Sequence, residues 1–109
     1  MTNSNNKGKV GEREVAALIR EYGFNARRGQ QYEGGHDSPD VIHSMPDIHV
    51  EVKRTEAFQL FKSFHQAQED SKPGETPVVF HRRNDEPWIV VLRATDFLGM
   101  VMRLDEGEC

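Results

Sequence analysis

A single cysteine, Cys109 at the far end of the sequence, leaves this 109-residue chain without a disulfide framework or a thiolate metal site. No apolar run approaches the length of a membrane span or a secretory core, so a cytoplasmic protein with no membrane partner is expected. The five histidines, His36, His43, His49, His65 and His81, lack the close pairing of an H-x-x-x-H pattern, which argues against a zinc site. There is no glycine-rich phosphate loop and no internal repeat. Positive charge is short as well: 14 Lys and Arg against 18 Asp and Glu leave a net charge of −4, whereas most nucleic-acid-binding domains are basic. What remains, 36% hydrophobic and 29% charged residues, fits one globular domain over residues 1–109, with residues 1–6 polar and expected to be disordered.

The most informative feature is Ser38-Pro39-Asp40, followed eleven residues after Asp40 by Glu51 within Val50-Glu51-Val52-Lys53. Alternation along a strand sends Glu51 and Lys53 to one face, roughly 6.6 Å apart. Asp40 joins them if Val41-Ile42 is the strand before a reversal at Ser44-Met45-Pro46. Two hard oxygen ligands on adjacent strands suit Mg²⁺, which keeps several waters and takes only one or two carboxylates. Mn²⁺ is the expected substitute. The plain alternative is a solvated hairpin with charged residues on its outer face. A second pair, Pro46-Asp47, competes, but Asp47 would lie about 13 Å from Glu51 on one extended strand, too far to share an ion. Asp47 is therefore expected in the turn and Asp37 in the preceding loop.

A coarse pass gives α-β-β-α-β-β-α, an α/β fold. Within residues 10–22, Gly11, Val15, Leu18, Ile19 and Tyr22 recur at helical spacing, and Gly23 stops the helix. Glu12 falls on the border of that apolar stripe, able to face the sheet as a third acidic group near the metal, while Glu14 falls outside it. Residues 26–28 are a candidate first strand. Residues 30–38, with Gly34-Gly35, read as a loop open to substrate contact or to solvent alone. Thr55 is expected to cap a helix whose shared face, Ala57, Leu60, Phe61, Phe64 and Gln68, puts the phenylalanines in the core. Residues 77–81 and 88–93 read as a hairpin of two largely buried strands around the Arg83-Asn84-Asp85-Glu86-Pro87 turn, and Thr95-Asp96 opens a last short helix through Met100. Basic residues gather at Lys7, Lys9 and Arg13, at Arg27 and Arg28, at Lys53 and Arg54, and at Arg82 and Arg83 beside His81. If these border one face, a local attractive field survives the negative total. Each is otherwise ordinary solvated surface.

Three segments, Lys7-Gly8-Lys9-Val10-Gly11-Glu12-Arg13-Glu14, Pro39-Asp40-Val41-Ile42 and Val50-Glu51-Val52-Lys53-Arg54, together resemble the PD-(D/E)XK nuclease superfamily and, within it, the small Holliday-junction resolvases of archaea and phages. The resemblance spans roughly the first half of the chain. It implies a restriction-endonuclease-like core, a central mixed β-sheet flanked by helices. It also implies a Mg²⁺-dependent endonuclease acting on branched DNA as a homodimer, in a bacterial or phage-infected cell. Asp40 and Glu51 would hold the ion, Glu12 would bind it directly or through water, and Lys53 would position the nucleophile. Gln66, in Gln66-Ala67-Gln68, matches the glutamine of the helix that follows the lysine in these resolvases, whereas helical register favours Gln68 as the inward residue. The other readings are a general or restriction-type DNase of the same fold and a non-catalytic DNA-binding or interaction module on a nuclease scaffold.

Overall fold

The structure, a computed structural model, describes residues 4–29 and 40–107. Pro39, Asp37, the Gly34-Gly35 pair, Glu108 and Cys109 lie outside them. The order is α1 (Ser4–Glu21), β1 (Ala26–Arg28), β2 (Val41–His43), β3 (Ile48–Arg54), α2 (Leu60–Asp70), β4 (Thr76–Arg82), β5 (Ile89–Val91) and α3 (Ala94–Gly107). That is one strand more than the α-β-β-α-β-β-α pattern, because β1, β2 and β3 are separate strands. The fold class is as expected: α/β, with a mixed sheet in which β4 lies between β3, parallel to it, and β5, antiparallel to it.

Alternation along β3 divides the molecule. Val50 and Val52 face α1 and join Val15, Ala16, Ile19 and Val41 in the buried core, with Ala26, Met45, Ile48, Phe80 and Trp88 packed around it. Each fully buried Val or Ile contributes about 1.5–3 kcal/mol. α1 therefore docks through Gly11, Val15, Leu18 and Ile19 of the expected stripe, while Tyr22, 76% exposed, lies off the core, and Gly23, at φ 93°, ends the helix with its N–H donating to the Arg20 carbonyl at 3.0 Å. The helix starts earlier than expected, at Ser4, so residues 4–6 are helical. Lys7 reaches Glu56 at 3.6 Å, a tether that no apolar pattern announces.

Three other expectations give way. First, β2 does not form a hydrogen-bonded ladder with β3: it pairs antiparallel with β1, Arg28 opposite Val41. Second, α2 is rotated about its axis from the expected face. Its buried residues are Ser63 and Ala67 and Phe64 is half-buried, while Phe61 is 73% exposed and Gln68 is exposed. Small side chains let the helix approach the polar face of β3, and Leu60 and Phe61 are left outward. Thr55 cannot cap it, because the Thr55 N–H extends the β3–β4 pairing to the Arg82 carbonyl (3.3 Å), and the helix starts after Gln59. Third, only β4 of the last hairpin is buried. β5 is an edge strand with Ile89 and Val90 exposed, and α3, which runs to Gly107 rather than Met100, buries no residue.

Gly11 sits where α1 crosses β3. A Cβ there would stand 2.7 Å from the Arg54 Cβ and 3.5 Å from Trp88, whereas one on Gly8 would meet nothing within 4 Å. Gly11→Ala is expected to destabilise the protein by about 1–3 kcal/mol through overpacking. Gly8→Ala should stabilise it by about 0.5–1 kcal/mol through helix propensity. Urea denaturation of the two variants checks the contrast, and equal effects would place the α1–β3 contact elsewhere.

Candidate active site

On the face of β3 opposite the core, His49, Glu51 and Lys53 project in turn, and Glu51 is only 7% exposed. Asp40 is brought to it by two bonds. The Gly29 N–H donates to the Asp40 carbonyl at 2.8 Å, extending the β1–β2 pair by one step, and the Val52 N–H donates to Asp40 Oδ2 at 2.8 Å. The side chain thus takes a ladder position that β2 leaves open beside β3. The Asp40 and Glu51 carboxyl groups are hydrogen-bonded to each other.

Two carboxyls in contact under burial cannot both ionise cheaply. Burial, then the charge of Glu51, pushes Asp40 up to about 7, against the pull of the Val52 N–H, and Glu12 adds to the rise. Burial also works against ionised Glu51, but the neighbouring His49 and Asp40 side chains and the charge of Lys53 outweigh it and hold Glu51 below the usual carboxylate value. The pair therefore carries one proton where a cation would serve as well. Hard oxygen donors from two strands, short of positive charge, fit a divalent ion such as Mg²⁺.

Glu12 lies at this end of the site, with Oε1 accepting from Arg28 Nε at 2.8 Å. Glu14, expected on the outer side of α1, instead accepts from Arg82 Nη1 (2.9 Å) and Trp88 Nε1 (3.2 Å), pinning α1 to the β4–β5 hairpin. Lys53 and Gln66 line one cleft of about 330 Å³ with Thr55, Gln59, Lys62 and Ser63. Gln66, not Gln68, is the glutamine near the lysine. Asp47 occupies the turn, at φ 59°, its carbonyl accepting from the Thr76 N–H at 2.7 Å.

Residues 3–69 match the archaeal Holliday junction resolvase (Hjc) family, more than half of the chain. The chain belongs to the Hjc family. No curated protein matches it. The matched span contains Glu12, Asp40, Glu51, Lys53 and Gln66, and the family is one of PD-(D/E)XK nucleases, consistent with the mixed sheet observed.

Four of the basic residues singled out in this Hjc chain are engaged internally. Besides Lys7, Arg28 and Arg82, Arg54 is bound twice, to Glu56 (3.2 Å) and to Asn84 Oδ1 (2.6 Å), with its side chain only 12% exposed. Lys9, Arg13, Arg27 and Arg83 are exposed and have no ion pair among the described residues. Sequence reasoning passed over two groups near Glu51. His49 was legible in the two-residue alternation, whereas Asp70 was hidden by the rotation of α2 away from its expected face.

Asp40 holds its proton more tightly folded than unfolded. This group therefore stabilises the metal-free fold fully below its ordinary value of 3.8, and that contribution is lost as pH rises through about 7. Asp40→Asn keeps an acceptor for Val52 but cannot ionise. In EDTA its melting temperature should exceed that of the wild type at pH 8, with the gap closing toward pH 4. A gap independent of pH would mean that the two carboxyls do not share a proton.

Proposed function

We propose that this Hjc-family chain is a Mg²⁺-dependent endodeoxyribonuclease, served also by Mn²⁺, that cuts branched DNA, with the four-way junction as its substrate. The observation that carries the reading is the hydrogen-bonded Asp40–Glu51 pair with Lys53 on the same strand face. A bound ion supplies Lewis acidity toward a phosphate and a water of lowered pKa. Asp40 and Glu51 would hold it in place of their shared proton, and Glu12, now paired with Arg28, would bind it directly or through water. Lys53 places its ammonium beside the scissile phosphate and offsets the negative charge that grows on its oxygens. Gln66, across the cleft from Lys53, donates to the substrate backbone or to the attacking water. Lys9, Arg13, Arg27 and Arg83, which have no ion pair among the described residues, are the first candidates to contact phosphates outside the reacting centre, where contacts position rather than specify. The protein works in the cytoplasm.

Glu51→Gln and Asp40→Asn should each abolish cleavage of a four-way junction in Mg²⁺ while retaining junction binding in Ca²⁺ within a few-fold; Asp47→Asn should cut at the wild-type rate. A panel of four-way junction, flap, linear duplex and single strand separates the outcomes. Equal cutting of linear duplex would indicate a general DNase, and binding without cleavage of any substrate would indicate a non-catalytic module.

Symmetric cutting of a junction needs two sites, so the reading includes a homodimer. The apolar side chains left uncovered support it: Phe61 at 73%, Leu104 at 69%, Met102 at 63% and Phe97 at 53% exposure, far more than scattered surface residues require. Sedimentation should give a dimer at micromolar concentration for the wild type and a folded monomer for Phe97→Asp/Met102→Asp. A monomeric wild type would remove the dimer from the reading.

A further inference from the structure

The other side of Glu51 carries a group that the nuclease chemistry does not use. His49 is 7% exposed, and its Nε2 is buried with no hydrogen-bond partner among the described residues; Glu51 Oε1 stands 3.5 Å away, at the outer limit of hydrogen bonding. An orphaned ring nitrogen in a buried position is costly, and native structures rarely leave one without a reason. Asp70, the last residue of α2, closes the group. His49, Glu51 and Asp70 each offer one ligand atom, all within 4.8 Å of one another. The approach of α2 that permits this depends on buried Ser63 and Ala67, and Gln66 Nε2 steadies the Asp70 carboxylate by donating to Oδ2 at 3.0 Å.

We propose that His49, Glu51 and Asp70 form a second cation site, for a transition divalent ion of the Zn²⁺ or Mn²⁺ class, sharing Glu51 with the Asp40 side. One imidazole nitrogen and two carboxylate oxygens make the three-protein-ligand set that such ions accept with water in the remaining positions. Mg²⁺, which favours oxygen ligands and binds through one or two carboxylates, is poorly served by the imidazole. Mg²⁺ therefore fills the Asp40 side alone, whereas Mn²⁺ fills both. The Gln66 bond to Asp70 is the outer support that metal-ligating carboxylates ordinarily have. The absence of paired histidines in the sequence does not count against a site with one histidine, whose other ligands come from β3 and from a helix nineteen residues beyond Glu51. The competing account is a simple His49–Glu51 ion pair.

The site rests on its own geometry and shares only Glu51 as a ligand, with Gln66 as a support, with the nuclease reading, so the test is made on the whole chain without DNA. Calorimetric titrations with Mn²⁺, Zn²⁺ and Mg²⁺ should show one more equivalent of Mn²⁺ than of Mg²⁺ bound to the wild type. His49→Ala and Asp70→Asn should each lose that equivalent, with affinity at the site falling at least about tenfold. Both variants should also lose the rise in melting temperature that Zn²⁺ gives the wild type. Asp70→Asn, isosteric and only half-buried, keeps the test decisive if His49→Ala does not fold. Identical stoichiometry and affinity in the wild type and both variants would overturn the proposal in favour of the ion pair. So would a single bound ion that Asp40→Asn and His49→Ala both abolish, since that describes one shared site. If Asp40→Asn binds as the wild type does while His49→Ala loses an ion, the second site stands and the Asp40–Glu51 ion reading falls.

Discussion

The burial of a carboxylate on β3 is the constraint to which the rest of the molecule is fitted. Glu51 is flanked by Val50 and Val52, which close the α1 core, so the strand cannot move to relieve it. Its neighbours must therefore come to it. Asp40 is delivered by the β1–β2 pair and locked by the Val52 N–H, Lys53 follows by alternation, and α2 approaches with Ser63 and Ala67 in contact because larger side chains would hold it away. A site built on the middle of a strand inherits the rigidity of the core behind it.

The rotation of α2 follows from the same constraint. A polar strand face demands a helix whose inner side is small or polar, so Gln66 and Asp70 go toward the site, and Leu60 and Phe61 go outward. The cost on this helix is two large apolar side chains at the surface, and β5 and α3 expose others of their own. A polar cluster inside and exposed Leu60 and Phe61 outside are two results of one helix orientation.

Much of this was legible in the chain. The i, i+2 spacing of Glu51 and Lys53, the turn at Asp47 and the docking stripe of Val15 and Ile19 follow from local geometry, and each is where its period puts it. Less legible was anything decided by two elements at once. Helical periodicity identifies the apolar side of α2 but not which side meets the sheet, so Phe61 was assigned to the core and Asp70 went unnoticed. Likewise, clustering in sequence gathered Arg28, Arg54 and Arg82 as free cations, although Glu12, Asn84 and Glu14 reach them from distant positions. The partner of a long charged side chain is a tertiary fact. Gly11 shows the opposite limit: a missing Cβ is visible in the sequence, but the backbone that fills its space is not.

The bond from the Gly29 N–H to the Asp40 carbonyl closes the base of the segment that joins them. The Val52 N–H holds the side chain of the same residue, so main-chain donors just past the end of β1 and on β3 grip Asp40 at both its carbonyl and its carboxylate. The position of that carboxylate is thus set by its two anchors and not by the length of chain that separates Gly29 from Asp40.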